Sequence, residues 1–334
     1  MQYRRLGNAG IQLSEIGLGS WLTYSNSVEQ NAALKCVKTA YESGINFFDT
    51  ADVYNQGQAE AFLGKALQQY RRSDLVIASK CFFPMSDKPN DQGLSRKHIF
   101  ESVHTSLKRL KTDYLDIYQC HRYDVNTPIE ETVLAMSDLV RQGKILYWGV
   151  SQWSAAQVQE AIGTAERLSA YRPQSNQPIY NLINRSLEIE VMKTCHENGL
   201  GIVVFSPLAQ GVLTGKYTDG KIPDDSRAAN PKANMFMQKR LESQWLDRVD
   251  NLGKIASKSG VSLPLLALAW TLRFPAVTSA IIGASKAEQV VENVKASGIS
   301  LSQDVLNKID EIMGTTPLDQ FTGQQITPFG SGVL

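Results

Sequence analysis

The chain has 334 residues, of which 43% are hydrophobic, 20% charged and 8% aromatic, enough apolar content for a sizeable core and too much for a disordered chain. Lys and Arg total 34 against 33 Asp and Glu, a formal net charge of +1 that offers neither a basic footprint for nucleic acid nor a polybasic membrane anchor. The expected partner is a small molecule, and the length suits one large α/β barrel with insertions. The longest apolar run, Val261 to Trp270, is too short to span a bilayer, and the opening residues lack the features of a signal peptide. Cys36, Cys81, Cys120 and Cys195 are scattered without a CxxC pair and read as reduced thiols, so the expected location is cytoplasmic and the sequon at Asn184 incidental.

In chain order, a hairpin is expected over Tyr3–Leu6 and Ile11–Leu13, turning through Gly7-Asn8-Ala9-Gly10. Eight short apolar runs follow: Ile16–Leu18, Ile45–Phe48, Leu75–Ser79, Tyr114–Tyr118, Ile145–Val150, Pro173–Gln177, Gly201–Phe205 and Ser279–Ile282. Each suits a strand buried on both faces. Helical spacing lies between them: Ala32 to Tyr41 before Gly44, a helix capped by Ser95, another opening at Pro128, one starting at Ser154, then Ser186 to Asn198 and Ser285 to Ala296. Eight βα units admit an open doubly wound sheet or a closed barrel. The first strand continues as Gly17-Leu18-Gly19-Ser20-Trp21-Leu22, which lacks the third glycine of a dinucleotide fingerprint and puts a bulky Trp21 where close packing needs a small residue. A (β/α)8 TIM barrel is therefore expected, one domain over 1–334 with the barrel at 16–298 and a surface tail at 315–334. The polar stretch Tyr217 to Lys239 follows the seventh strand and is expected to form a flap over cofactor or substrate.

Barrel enzymes carry their chemistry just beyond strand C-termini. There the sequence supplies Asp49 and Tyr54 after the second run, Lys80 after the third and His121 after the fourth. No His-x-His pair suggests zinc, and His98, His104 and His196 fall inside helix patterns as ordinary helix residues. No Gly-x-Ser-x-Gly elbow is present, and Gly211 to Tyr217 falls short of a P-loop. One reaction uses all four rim groups: Tyr54 gives a proton to a carbonyl oxygen, Lys80 lowers the phenol's pKa, Asp49 holds Lys80, and His121 orients the carbonyl. Such a donor needs a hydride source. A Schiff-base lyase using Lys80 is the alternative chemistry. Taken singly, Asp49–Lys80 reads equally well as a structural ion pair, Tyr54 as a loop tyrosine, and Trp21 and Phe205 as filling for the barrel mouth; Cys81 and Cys120 are expected to point away from the axis and stay inert.

Phe48-Asp49-Thr50-Ala51-Asp52-Val53-Tyr54, with Lys80 and His121 beyond, resembles the Asp–Tyr–Lys–His tetrad of the aldo-keto reductases. The resemblance continues through Gly149-Val150-Ser151, Ser206-Pro207-Leu208, Ile282-Gly283-Ala284-Ser285 and Glu292-Asn293, and is strongest toward the branch holding potassium-channel β subunits and bacterial relatives. It implies a barrel that reduces an aldehyde or ketone with NADPH, NADH remaining an option, and it admits a homo-oligomer. It places Ser151, Gln152 and Gln177 at the nicotinamide and Phe205 against its ring. Ser206, Pro207, Leu208, Ala209 and Gly211 would wrap the pyrophosphate, with Lys216 and Arg227 adding charge. Gly283, Ser285, Gln289, Glu292 and Asn293 would hold the adenosine end; Asp49 and Trp21 would line the cofactor site. Two positions depart from the family. Gly283 and Gln289 stand where many members carry the Lys and Arg that read a 2′-phosphate, and His121 stands where the channel β subunits carry asparagine. Histidine there supports reductase chemistry over the alternative of a redox-sensing interaction subunit with little turnover. Trp21, Tyr24, Phe82, Phe83, Arg122 and Tyr123 would wall the substrate pocket.

Overall fold

The computed structural model describes residues 1–21, 30–218, 220–224, 226–229, 234 and 241–314. Tyr24, much of the expected flap beyond 229 and the tail 315–334 lie outside the described residues. The two hairpin strands are β1 (Tyr3–Arg5) and β2 (Gln12–Ser14), paired antiparallel. Eight parallel strands follow: β3 (Ile16–Gly19), β4 (Phe47–Asp49), β5 (Val76–Cys81), β6 (Leu115–Cys120), β7 (Ile145–Val150), β8 (Ser175–Asn176), β9 (Gly201–Phe205) and β10 (Val277–Ile282). They form a closed barrel in chain order, with β10 hydrogen-bonded to both β9 and β3. The expected (β/α)8 TIM barrel is the observed fold.

Ten α-helices surround it among the described residues: α1 (Gln30–Glu42), α2 (Gln58–Leu67), α3 (Arg96–Leu110), α4 (Ile129–Arg141), α5 (Ala155–Arg167), α6 (Val191–Glu197), α7 (Ser243–Lys258), α8 (Leu263–Thr271), α9 (Ala287–Asn293) and α10 (Gln303–Met313). Caps fix several starts as the sequence indicates. The Ser95 side chain accepts from the His98 amide, and Ser154 and Gln157 form a reciprocal capping box.

Several boundaries differ from the sequence reading, each for a physical reason. The expected runs at β4, β5 and β6 end one or two residues early, so Asp49 and Lys80 lie within the last turns of pairing rather than past them. The sixth run shrinks to Ser175–Asn176, since Pro173 has no amide to give a ladder. Pro128 caps α4 in an extended conformation and is not its first residue. The expected helix Ser186 to Asn198 is broken into a 3-10 turn, Ser186–Glu188, and α6. The break turns Glu188 inward, where its carboxylate takes Arg273 at 2.8 Å, Arg185 at 3.0 Å and the Tyr180 hydroxyl. The last expected helix is likewise shorter: Ser285 stays outside α9, and Val294–Ala296 is a 3-10 turn.

The sequence reading leaves α2, α7, α8 and α10 unassigned. Every side chain of α8 except Pro264 is buried, so it carries no polar stripe to betray its period.

The side chains divide between two cores. Outward-facing strand residues such as Ile77, Cys81, Tyr118 and Cys120 pack beneath the helices. Inward-facing Phe47, Val76, Ala78, Ile117, Val203 and Ile281 fill the barrel, and Leu6, Ala9 and Leu13 of the hairpin seal its lower end. Gly7 makes that seal fit: it adopts φ +57°, and a Cβ there would lie 2.2 Å from the Gly199 carbonyl oxygen. Arg4 rivets the hairpin to the start of the last strand, at the same end of the barrel, through the carbonyls of Leu272, Phe274 and Val277.

The Glu188 cluster supports a stability prediction. Glu188→Gln leaves Arg273 facing a neutral partner in a buried site, while Arg185 keeps Asp310 at 2.7 Å, at an expected cost of about 3–5 kcal/mol in urea unfolding at pH 7. Burial raises the Glu188 pKa, but Arg273 and Arg185 outweigh it and hold the group below the ordinary 4.5. The stabilisation is therefore present above that ordinary value and lost as pH falls through the depressed folded value. The gap between wild type and variant should close in acid.

Candidate active site

Asp49, Tyr54, Lys80 and His121 meet where β4, β5 and β6 leave the barrel. Lys80 is fully buried, and its ammonium donates to Asp49 Oδ2 at 2.7 Å, to the Thr50 carbonyl at 2.7 Å and to the Tyr54 hydroxyl at 3.4 Å. The other oxygen of Asp49 accepts from Gln177 Nε2 at 2.8 Å. Burial alone would lower the lysine's pKa; the facing Asp49 and Tyr54 reverse this and hold it above its ordinary value. The phenol of Tyr54 is raised too, because burial outweighs the opposing pull of Lys80. This corrects the expectation that Lys80 makes the phenol more acidic than usual: the cation offsets only part of the desolvation, and Tyr54 stays protonated at neutral pH.

His121, the first residue beyond β6, is buried with its ring edge-on to Tyr54 at 5.8 Å and to Phe83 at 4.9 Å between centroids. Burial, then Lys80 and Arg122, push its pKa well below the ordinary value, so the imidazole is neutral. Its Nδ1 is sealed without a hydrogen-bond partner. Trp21 also packs against Tyr54, 6.5 Å between centroids.

A buried acid that sequence reasoning missed supports the Tyr54 loop. Asp52 accepts from the Val53 amide at 2.6 Å and from Ser102 Oγ of α3 at 3.2 Å. Burial, reinforced by the neighbouring carboxylate of Glu60, pushes its pKa up to about 7. Ser102 also lies 3.4 Å from His98 Nε2, and His98 sits inside α3 as an ordinary helix residue, as expected, with its Nδ1 buried and without a hydrogen-bond partner. Burial raises the thiols of Cys81 and Cys120 well above the ordinary value, and both face the outer core, away from the axis, as the strand alternation indicated.

Around the rest of the rim lie the residues assigned to a dinucleotide. Ser151 Oγ donates to the Gln177 carbonyl at 2.9 Å, and Gln152, at φ +60°, accepts from the Ile179 amide through its side chain at 3.1 Å. Ser151 is left with acceptor lone pairs, Gln177 with its Oε1 and Gln152 with its side-chain amino group: two acceptors and a donor, the set a carboxamide needs. Phe205 ends β9 half-buried. Beyond it Ser206, Ala209, Gln210 and Gly211 all adopt left-handed backbone, with φ of 53°, 48°, 62° and 98°. Three of these are not glycine, a strained run of the kind that clusters at ligand clamps. Asn181 holds the Ser206 carbonyl at 2.9 Å, Gln210 holds Ser206 Oγ at 2.6 Å, and Arg227 in turn donates to Gln210.

Pro207 and Leu208 lie inside that run. Arg227 also stacks over Trp21 at 5.9 Å, and the Lys216 side chain passes beside Gly211, where a Cβ would meet it at 3.4 Å. Two cations thus flank a loop whose strain fits an anionic clamp. Gln289 spends its Oε1 on the amides of Ser285 and Lys286, so it caps α9 and offers no charge. Glu292 is held by Ser262 and Lys295, Asn293 is buried, and Gly283 is exposed at the end of β10.

A closed parallel barrel thus carries an Asp–Lys–Tyr–His cluster at its C-terminal rim. Residues 15–313 match the model of the Aldo/keto reductase family, and the chain belongs to that family. A rice protein (Oryza sativa subsp. japonica) named "Probable voltage-gated potassium channel subunit beta" is 44% identical over 322 residues, 95% of this chain and 98% of its own length. An Arabidopsis thaliana protein of the same name is 43% identical over 322 residues, again 95% and 98% of the two chains. The relatives fall in the branch that the sequence motifs resemble. No helix among the described residues is long and apolar enough to cross a membrane.

Proposed function

We propose that the protein is a cytoplasmic NADPH-dependent reductase of a small aldehyde or ketone, with Tyr54 as proton donor. The observation that carries this reading is the fully buried Lys80 ammonium, bonded at once to Asp49, Thr50 and the Tyr54 hydroxyl, with neutral His121 facing the same phenol. A nicotinamide held at this rim would supply the hydride for the carbonyl carbon. Tyr54 passes its proton to the developing alkoxide, and Lys80 stabilises the phenolate left behind. Neutral His121 would donate a hydrogen bond to the carbonyl oxygen and keep its proton. Asp49 holds Lys80 charged, and Gln177 fixes Asp49.

Ser151, Gln152 and Gln177 would hold the carboxamide, and Phe205 the ring. The strained loop from Ser206 to Gly211, with Lys216 and Arg227, would take the pyrophosphate. The 2′-phosphate has Lys216, Arg227 and Lys286 to meet it, since Gly283 and Gln289 carry no charge. A fluorescence titration with NADPH and, separately, NADH tests the cofactor half. The expected result is saturable binding at micromolar concentration or below, tighter for NADPH; no binding to either removes the hydride donor and sinks the reading.

A Schiff-base role for Lys80 fares poorly, because a nucleophilic amine must be deprotonated and Lys80 is held charged. A second reading, a dinucleotide-binding interaction subunit, rests on the names of the relatives. Very slow turnover with every carbonyl, combined with tight cofactor binding, would favour it.

A further inference from the structure

Arg122 follows His121 at the rim. Its Nη1 donates to the His121 carbonyl at 2.6 Å, and its guanidinium lies 5.3 Å from the Phe83 ring centroid. Phe83 in turn packs edge-on against His121, which faces Tyr54. The contacts thus run unbroken from the phenol through the imidazole and Phe83 to the guanidinium. Among the described residues no carboxylate forms an ion pair with Arg122.

Asp124, two residues further on, and Glu160, held by the adjacent Tyr123, are committed elsewhere. Asp124 accepts from the Leu94 amide at 2.7 Å, Thr127 Oγ1 at 2.8 Å and the Asn126 amide at 2.9 Å. Glu160 accepts from the Tyr123 hydroxyl at 2.8 Å, and the Tyr123 ring is turned onto Trp153. A guanidinium has five N–H donors, so four have no acceptor among the described residues. The nearest charged groups in the catalytic cluster add to the imbalance: Lys80 is positive, Asp49 is already paired with it, and His121 is neutral.

Resting on the reductase reading above, we propose that Arg122 selects a substrate carrying an anionic group, a carboxylate or a phosphate, a few bonds from the carbonyl. With the carbonyl oxygen between Tyr54 and His121, the remainder of a short substrate lies against Phe83 and ends at the guanidinium. Charge-assisted, forked hydrogen bonds to such an end fix its orientation. They also make recognition sensitive to salt.

The test compares kcat/KM for matched pairs at saturating dinucleotide: 4-oxobutanoate against butanal, and glyceraldehyde 3-phosphate against glyceraldehyde, with 4-nitrobenzaldehyde as a neutral reference. Wild type should prefer at least one anionic member. Arg122→Met should lower the anionic-to-neutral ratio of that pair by about 30-fold or more, in line with hydrogen bonds to charged groups. Arg122→Lys should recover more of the ratio if the phosphate pair is the responsive one, less if the carboxylate pair is, because lysine cannot form the planar fork. An unchanged ratio in Arg122→Met, or no anionic preference in wild type, overturns the proposal. If even 4-nitrobenzaldehyde is not reduced, the reductase reading has failed separately. Binding of 4-hydroxybutanoate and glycerol 3-phosphate to the protein with NADP+, followed by calorimetry, then decides: Arg122-dependent binding supports the anion site, and its absence overturns it.

Discussion

Tyr54→Phe should lower kcat for carbonyl reduction by about three orders of magnitude while leaving dinucleotide affinity within a few-fold, the size expected when a positioned general acid is removed. The substitution takes away one oxygen. The ring stays to pack beside Trp21 and His121, and Lys80 keeps its bonds to Asp49 and the Thr50 carbonyl. Fluorescence titration and steady-state rates on the same preparation separate the two effects; unchanged turnover would remove Tyr54 as the acid. The pH dependence follows from the phenol's environment. Burial raises its pKa above the ordinary 10.0, with Lys80 opposing and Asp49 assisting. Reduction uses the protonated phenol, so its rate should be level through neutral pH and fall only in alkali. Alcohol oxidation needs the phenolate and should rise with pH over the same range.

Lys80→Met should abolish measurable turnover and also cost stability, because it leaves the buried Asp49 carboxylate with Gln177 as its remaining side-chain partner. Stranding one member of a buried pair costs about 3–5 kcal/mol. Adding Asp49→Asn removes the stranded charge, so the double variant should regain most of the lost stability in urea unfolding and none of the activity. A single variant with wild-type rate and pH profile would refute the coupling of Lys80 to Tyr54. The sign of the pH effect is set by the raised pKa of Lys80. Its stabilisation is complete below the ordinary 10.5 and is lost as pH rises through the higher folded value. At neutral pH the full difference between wild type and variant should appear.

The barrel was legible because its strands, buried on both faces, print short apolar runs, and because each run hands over to a polar rim. Asp49, Lys80 and His121 could be placed at that rim from position alone. Helix α8 was opaque for the opposite reason: it is apolar on nearly all sides and has no period to read. The break before α6 was hidden because Glu188 looks like a surface residue until Arg273, far along the chain, comes to meet it. The bond from Gln177 to Asp49 spans 128 residues and has no local signature. Asp52 sits two residues before Tyr54 in a motif that sequence could read as chemistry, yet its support from Ser102 depends on how α3 docks. The sign of the Tyr54 shift was also beyond reach, since it weighs burial against one cation and both are set only when the rim assembles.

The seam of the barrel joins β3, near the start of the chain, to β10, near its end. During synthesis the barrel therefore cannot close, and any sheet formed keeps two bare edges, until residue 282 has emerged. Each edge is a template for pairing with another chain. The hairpin is made first, but Arg4 cannot clasp the carbonyls of Leu272, Phe274 and Val277 until the last strand arrives. The earliest segment thus works as a latch on the latest one. A nascent chain passes its most association-prone interval just before that latch engages, and the closed ring then removes both edges together.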